Sequence, residues 1–123
     1  MRLLIVDDNP QFLEAAREVL EGDGLTVVGV ASASAEAIRL TQELQPDVIL
    51  VDVDLGEENG FELAERLAAI VNARVILISV YPEMELADLL AASPASGFVG
   101  KADLSAAAIR EVLGREGLDR RDS

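Results

Sequence analysis

Residues 48–60 read VILVDVDLGEENG. Val48, Ile49, Leu50 and Val51 run without polar alternation into Asp52, and a second aspartate, Asp54, follows two positions later. An unbroken aliphatic run of this length suits a strand covered on both faces, as in a parallel sheet.

Four further apolar runs, at 3–6, 27–31, 75–78 and 97–99, have the same character. The segments between them carry helical spacing. Phe12, Ala16 and Val19 fall on one face, as do Ala37, Leu40 and Leu44, and Phe61, Ala64, Leu67 and Val71. A shorter helix with Leu86, Leu89 and Leu90 is expected over 83–92, and a last one from about 104 to 113. Asn9-Pro10 reads as an N-cap followed by proline at the first helical position, and Asp103 as a cap for the final helix. Gly22 and Gly24 stop the first helix, Asn72 can stop the third, and Pro82 can open the fourth. Strict alternation of strand and helix predicts an α/β three-layer sandwich with right-handed crossovers. One domain is expected over 1–117, with a loose polar tail over 118–123.

Composition narrows the chemistry. The 123 residues suffice for a single core, half of them are apolar, and few are aromatic. Without cysteine or histidine there are no disulfides, thiolate metal sites, His-ligated zinc or Ser-His triads. A formal charge of −13 opposes direct binding to nucleic acid and to anionic membrane surfaces. The first residues reach acidic positions too soon for a signal peptide, and no apolar run approaches membrane-spanning length. A cytoplasmic location is the expectation.

In open parallel sheets, function gathers beyond the carboxyl ends of the strands. The first strand ends in Asp7-Asp8, the third in Asp52, the fourth in Ser79 and the fifth in Gly100-Lys101. The second ends in uncharged Ala31-Ser32, as suits an edge in the order 2-1-3-4-5. Taken singly, Asp8 suits a helix N-terminus, Asp52 a turn, Ser79 a loop hydroxyl, Phe98 a core aromatic and Lys101 a solvated surface cation. Those separate accounts leave unexplained why the residues share one rim.

The pieces IVDDN, VILVD with Gly60 eight residues beyond Asp52, VILIS and GFVGK, in this order, resemble the receiver domain of two-component response regulators over residues 2 to about 116. The resemblance implies a doubly wound, flavodoxin-like (βα)5 sandwich. It implies Asp52 as phosphoacceptor, with Mg²⁺ held by Asp8, Asp52 and the backbone carbonyl of Asp54, and by Asp7 mainly through water. Ser79 and Lys101 would bind the phosphoryl group, and Phe98 would be the switch aromatic. A sensor histidine kinase or phosphotransfer protein would supply the group, and a downstream protein target would read the switched surface. In this role the chain is no turnover enzyme but a phosphoacceptor that catalyses its own phosphorylation and dephosphorylation.

The physics agrees with each role. Two carboxylates about 4 Å apart repel by roughly 4 kcal/mol at a protein-like dielectric, so three call for a divalent cation, and all-oxygen ligands suit Mg²⁺. Lys101 is the one lysine among 10 basic residues, which points to a need for a compact charge there.

Three other readings compete. Asp52-Val53-Asp54 also resembles the DxD signature of haloacid-dehalogenase-type phosphatases, although that class carries it on its first strand. The chain could also be a receiver without phosphorylation, or the receiver half of a larger DNA-binding transcriptional regulator. Gly56 stands where the family often has proline, which predicts a looser loop. Ala102 replaces the proline that usually follows the lysine, so a trans Lys101-Ala102 peptide is expected, a cis bond before alanine costing about 2.5–4 kcal/mol. Asp54, Val80 and Tyr81 occupy variable places that would tune reaction rates.

Overall fold

The computed structural model describes residues 1–70 and 72–122, with side chains up to Gly114. Five parallel strands form the central sheet: β1 (Arg2–Val6), β2 (Thr26–Ala31), β3 (Val48–Asp52), β6 (Arg74–Ser79) and β7 (Gly97–Gly100). Their order is β2-β1-β3-β6-β7. This is the anticipated 2-1-3-4-5 arrangement, renumbered because a small antiparallel hairpin, β4 (Asp54–Leu55) with β5 (Glu58–Asn59), follows β3. The helices are α1 (Pro10–Gly22), α2 (Ser34–Leu44), α3 (Gly60–Ile70), α4 (Ala87–Ala91) and α5 (Ala106–Asp122).

Strands β1, β3 and β6 are buried on both faces, and their alternate residues divide between two cores. Leu3, Ile5, Val48, Leu50, Ile76 and Ile78 meet Leu13, Ala16 and Leu20 of α1 and Ala106, Ile109 and Val112 of α5. Leu4, Val6, Ile49, Val51, Val75 and Leu77 meet Ala37 of α2 and Leu63, Ala64 and Leu67 of α3. This period-two partition explains why the strands lack polar alternation in sequence. Each fully buried Leu or Ile contributes about 1.5–3 kcal/mol relative to exposure, and residues such as Ile5, Leu50 and Ile76 are wholly inaccessible.

Several local expectations shift by a residue or a turn. In α1 the core face is Leu13, Ala16 and Leu20; Phe12 is half-buried and Val19 is 48% exposed. Phe12-Ala16-Val19 and Leu13-Ala16-Leu20 both satisfy helical spacing, and the sheet selects the second. On α2, Ala37 is buried, whereas Leu40 and Leu44 are half-buried. The buried positions there include Ser34 and Thr41, whose hydroxyl donates to the Ala37 carbonyl at 2.7 Å. On α3, Ala64 and Leu67 are buried as expected; Val71 lies outside the described residues.

The segment expected as one helix over 83–92 is a 3₁₀ turn, Glu83–Leu86, followed by the five-residue α4, with no buried residue in either. Asn9 caps α1 as expected, accepting from the N–H groups of Gln11 and Phe12. Asp103 does not cap α5, because Lys101–Asp103 forms its own 3₁₀ turn. Ser105 Oγ accepts from Ala108 N–H at 3.0 Å, and Asp23, at the far end of α1, accepts from Ala106 N–H at 3.1 Å. The α5 backbone continues to Asp122, past the end expected near Leu113. Gly114 and Gly117 each weaken a helix by about 1 kcal/mol relative to alanine without forbidding it.

Candidate functional site: an acidic cluster at the carboxyl rim of the sheet

Strand register places the rim residues side by side. Val6 pairs with Val51, so Asp7 and Asp52 are the next residues along neighbouring strands. Asp52 pairs with Ile78, and Ser79 with Gly100, which brings Ser79 and Lys101 to the same edge. Val53 N–H donates to the Ile78 carbonyl and Asp7 N–H to the Ala31 carbonyl, both at 3.0 Å, continuing the ladder past the strand ends.

Oxygens of Asp7, Asp8 and Asp52 lie within 4.8 Å of one another. Asp7 and Asp52 are buried, and Asp8 is exposed at the mouth. Lys101 reaches in from the β7 end, with Nζ 2.5 Å from Asp7 Oδ2 and 2.8 Å from Asp52 Oδ2. Asp7 Oδ2 faces the Lys101 ammonium and meets no other donor among the described residues. The other Asp7 oxygen accepts from Asn9 N–H at 2.8 Å, and Asp52 Oδ1 from Asp54 N–H at 3.1 Å.

Burial is the main influence pushing the Asp52 carboxyl up from its ordinary pKa, and the Asp7 charge adds to it. The Lys101 hydrogen bond and the Asp54 N–H act the other way and lose. For Lys101, burial opposes the ammonium, but hydrogen bonds and charge from Asp52 and Asp7 outweigh it and raise the pKa. The lysine is therefore held charged, while two buried carboxylates share one ammonium and Asp52 is left under-compensated.

That shortfall fits a divalent cation. In an octahedral Mg²⁺ site with bonds of 2.0–2.1 Å, opposite ligands lie roughly 4.2 Å apart, so this oxygen cluster is close to the required size. Hard carboxylate donors and a buried, incompletely satisfied Asp7 oxygen agree with the same ion.

The hairpin after β3 shapes the mouth. Gly56 has φ +73°, a left-handed conformation that proline cannot adopt, and its ideal Cβ would lie 3.0 Å from Asp8 Oδ2. The loop carries the short β4–β5 pairing, and Gly56 N–H donates to Asp54 Oδ1 at 3.1 Å. Asp54 is itself exposed, so its side chain belongs to the turn rather than to the carboxylate cluster.

On the opposite side of the rim, buried Ser79 accepts from Tyr81 N–H at 2.9 Å, leaving its hydroxyl proton free to donate elsewhere. Val80 is 75% and Tyr81 48% exposed. Phe98 is half-buried and packs with Leu86 and Leu90 against the α2–α3 core. The Lys101-Ala102 peptide is trans.

Two contacts went unread in the sequence. Glu58 accepts from Ser34 N–H at 2.8 Å, tying the hairpin to the start of α2, which has no side-chain cap of its own. Phe12, expected on the core face of α1, places its ring centroid 4.3 Å from Lys101 Nζ. No local spacing signals either, since each joins segments distant in sequence.

Among known proteins, the chain is 32% identical over 101 residues to a putative transcriptional regulator of Pseudomonas aeruginosa, covering 81% of this chain and 49% of that protein. It is 33% identical over 86 residues to the Bacillus subtilis transcriptional regulatory protein YdfI, covering 69% of this chain and 40% of that protein. The chain thus spans about half or less of the length of these curated relatives. Among solved structures it resembles the signal receiver domain of the putative response regulator NarL from Mycobacterium tuberculosis, with TM-score 0.79, 28% identity and coverage of 92% of this chain and 96% of that one. Residues 3–113 match the family described as the response regulator receiver domain. The chain belongs to the receiver domains of response regulators.

Proposed function

We propose that this receiver domain accepts a phosphoryl group on Asp52 in a Mg²⁺-dependent reaction and relays the change to a protein-interaction surface. The observation that carries the reading is the group of three carboxylates within 4.8 Å, with the Lys101 ammonium 2.8 Å from Asp52. Asp7 and Asp8, with Asp52 and the Asp54 carbonyl, would hold Mg²⁺, which when bound supplies positive charge to the phosphoryl oxygens. An Asp52 carboxylate oxygen forms the new bond to phosphorus as the bond to the donor's leaving atom breaks. For a phosphohistidine of a sensor kinase or phosphotransfer protein, the leaving imidazole nitrogen keeps the electron pair and takes a proton. Lys101 faces the same oxygens from the β7 side and neutralises part of their charge. The free Ser79 proton donates to the phosphoryl group, drawing in the loop that carries Val80 and Tyr81, and half-buried Phe98 has room to move behind it. Asp54, Val80 and Tyr81 border the acceptor and set how readily water reaches it.

Intact mass after incubation with acetyl phosphate and Mg²⁺ tests the reading. One phosphoryl increment is expected on the wild type, none on Asp52→Asn, and none in EDTA. An increment that survives either change overturns it. Repeated turnover of a phosphoester would instead favour the phosphatase reading of Asp52 and Asp54.

The length of the curated relatives favours a second, compatible reading, in which a receiver of this kind controls a DNA-binding segment. With a charge of −13, the present chain should not retain DNA by itself even at low salt, and a gel-shift measurement checks that directly.

A further inference from the structure

We propose that Phe12 is a positioning residue for Lys101, its ring holding the ammonium beside the acceptor when a cation takes over the carboxylates. The proposal rests on the phosphoryl-accepting reading of Asp52 and adds to it a residue that touches neither the cation nor the phosphoryl group.

Three groups hold the ammonium: Asp7 at 2.5 Å, Asp52 at 2.8 Å and the Phe12 ring at 4.3 Å from its centroid. The two carboxylates are the same groups that form the cation cluster, so cation binding competes with the lysine for them. The neutral ring enters neither competition. It attracts a cation through its quadrupole, by about 0.5–1 kcal/mol at exposed sites and about 2 where water is excluded. The Lys101 side chain is only 11% exposed, which puts this contact toward the stronger end.

The ring is also well placed to hold still. Phe12 lies in the first turn of α1, where Asn9 Oδ1 accepts from its N–H at 3.3 Å, and it packs against the α1–α5 core. The same Asn9 donates its own N–H to Asp7. One short segment, residues 7–12, thus sets two acidic ligands and the ring that faces their competing lysine. An ammonium kept in place by the ring loses less freedom when the phosphoryl group arrives, which is where preorganisation gains its effect.

The chain has one lysine, so its ε-methylene protons give a single, assignable NMR signal set. Ring-current displacement of that signal is expected in the wild type and in Phe12→Tyr, absent in Phe12→Leu, and retained at saturating Mg²⁺. A displacement that vanishes when Mg²⁺ is added overturns the proposal. The second measurement replaces Phe12 with mono-, di- and trifluorophenylalanine, which weaken the quadrupole with little change of shape, and titrates beryllofluoride in excess Mg²⁺. The lone tyrosine, Tyr81, in a chain without tryptophan, supplies the fluorescence readout. The midpoint should rise stepwise, by roughly three- to tenfold for the trifluoro ring. A flat series with a responsive wild type overturns the role of Phe12 alone. A wild type that neither responds to beryllofluoride nor forms the Asp52 adduct overturns the functional reading, and this role with it.

Discussion

Gly60 packs so closely on Asp52 that a Cβ at position 60 would lie 1.9 Å from the Asp52 carbonyl oxygen and 2.8 Å from its carbonyl carbon. Gly60 N–H also donates to the Val53 carbonyl at 3.0 Å, so the start of α3 is clamped to the end of β3. Because the obstacle is backbone, no side chain can rotate away.

Gly60→Ala should therefore destabilise the fold by about 1–3 kcal/mol or more, as overpacking does. For a domain of this size that lowers the melting midpoint by about 5–15 °C, read by circular dichroism. Gly56→Ala acts by a different route, through its positive φ and the Asp8 carboxylate, and should cost about 1–2 kcal/mol. Equal midpoints for Gly60→Ala and wild type would show that the two segments can separate freely.

The capping of α5 gives a comparison between neighbours in sequence and in space. Asp23→Ala removes the acceptor for Ala106 N–H and should cost about 1 kcal/mol, typical of a lost N-terminal cap. Asp103→Ala should change stability far less, since Asp103 sits in a separate 3₁₀ turn. Chemical denaturation of both variants decides between them. A larger loss in Asp103→Ala would restore the cap read from sequence.

That contrast marks what the sequence can show. The strands were legible because Val48–Val51 and the neighbouring runs are aliphatic, and the rim was legible because Asp7-Asp8, Asp52, Ser79 and Lys101 stand at the ends of four of them while β2 ends without a charge. The phase of α1 was not, because Phe12 and Leu13 both continue an apolar periodicity and only the sheet chooses. Polar residues that become buried, such as Ser34 and Thr41, carry no apolar signal. The Asp23, Glu58 and Phe12 contacts bridge distant segments, so each depends on packing already formed.

Lys101→Ala tests the balance of charge in the cluster. Without the ammonium, Asp7 keeps a buried charge with no counter-ion, and breaking a buried pair in this way costs about 3–5 kcal/mol. The variant should melt well below wild type in EDTA. Mg²⁺ should recover more stability in the variant than in wild type, because no lysine competes for Asp7 and Asp52. Calorimetric titration should show Mg²⁺ binding at least as tight as in wild type, while the beryllofluoride response weakens. Loss of Mg²⁺ binding in Lys101→Ala would mean that the ammonium organises the carboxylates rather than competing for the site.

Ser79→Ala separates reception of the phosphoryl group from the motion that follows. The Ser79 oxygen accepts from Tyr81 N–H, so the substitution removes one hydrogen bond within the β6–α4 loop as well as the proton available to a phosphoryl oxygen. The three-carboxylate cluster and Lys101 are untouched, so Asp52 should still take up a phosphoryl group from acetyl phosphate. The change should appear instead in Tyr81, which is tied to Ser79 through its backbone and has a half-exposed ring. Its fluorescence should respond to beryllofluoride in wild type and respond weakly in Ser79→Ala, while intact mass shows the acetyl phosphate adduct on both. A full fluorescence response in Ser79→Ala would mean that the loop is drawn in by another donor, and that the serine hydroxyl is only a cap for its own turn.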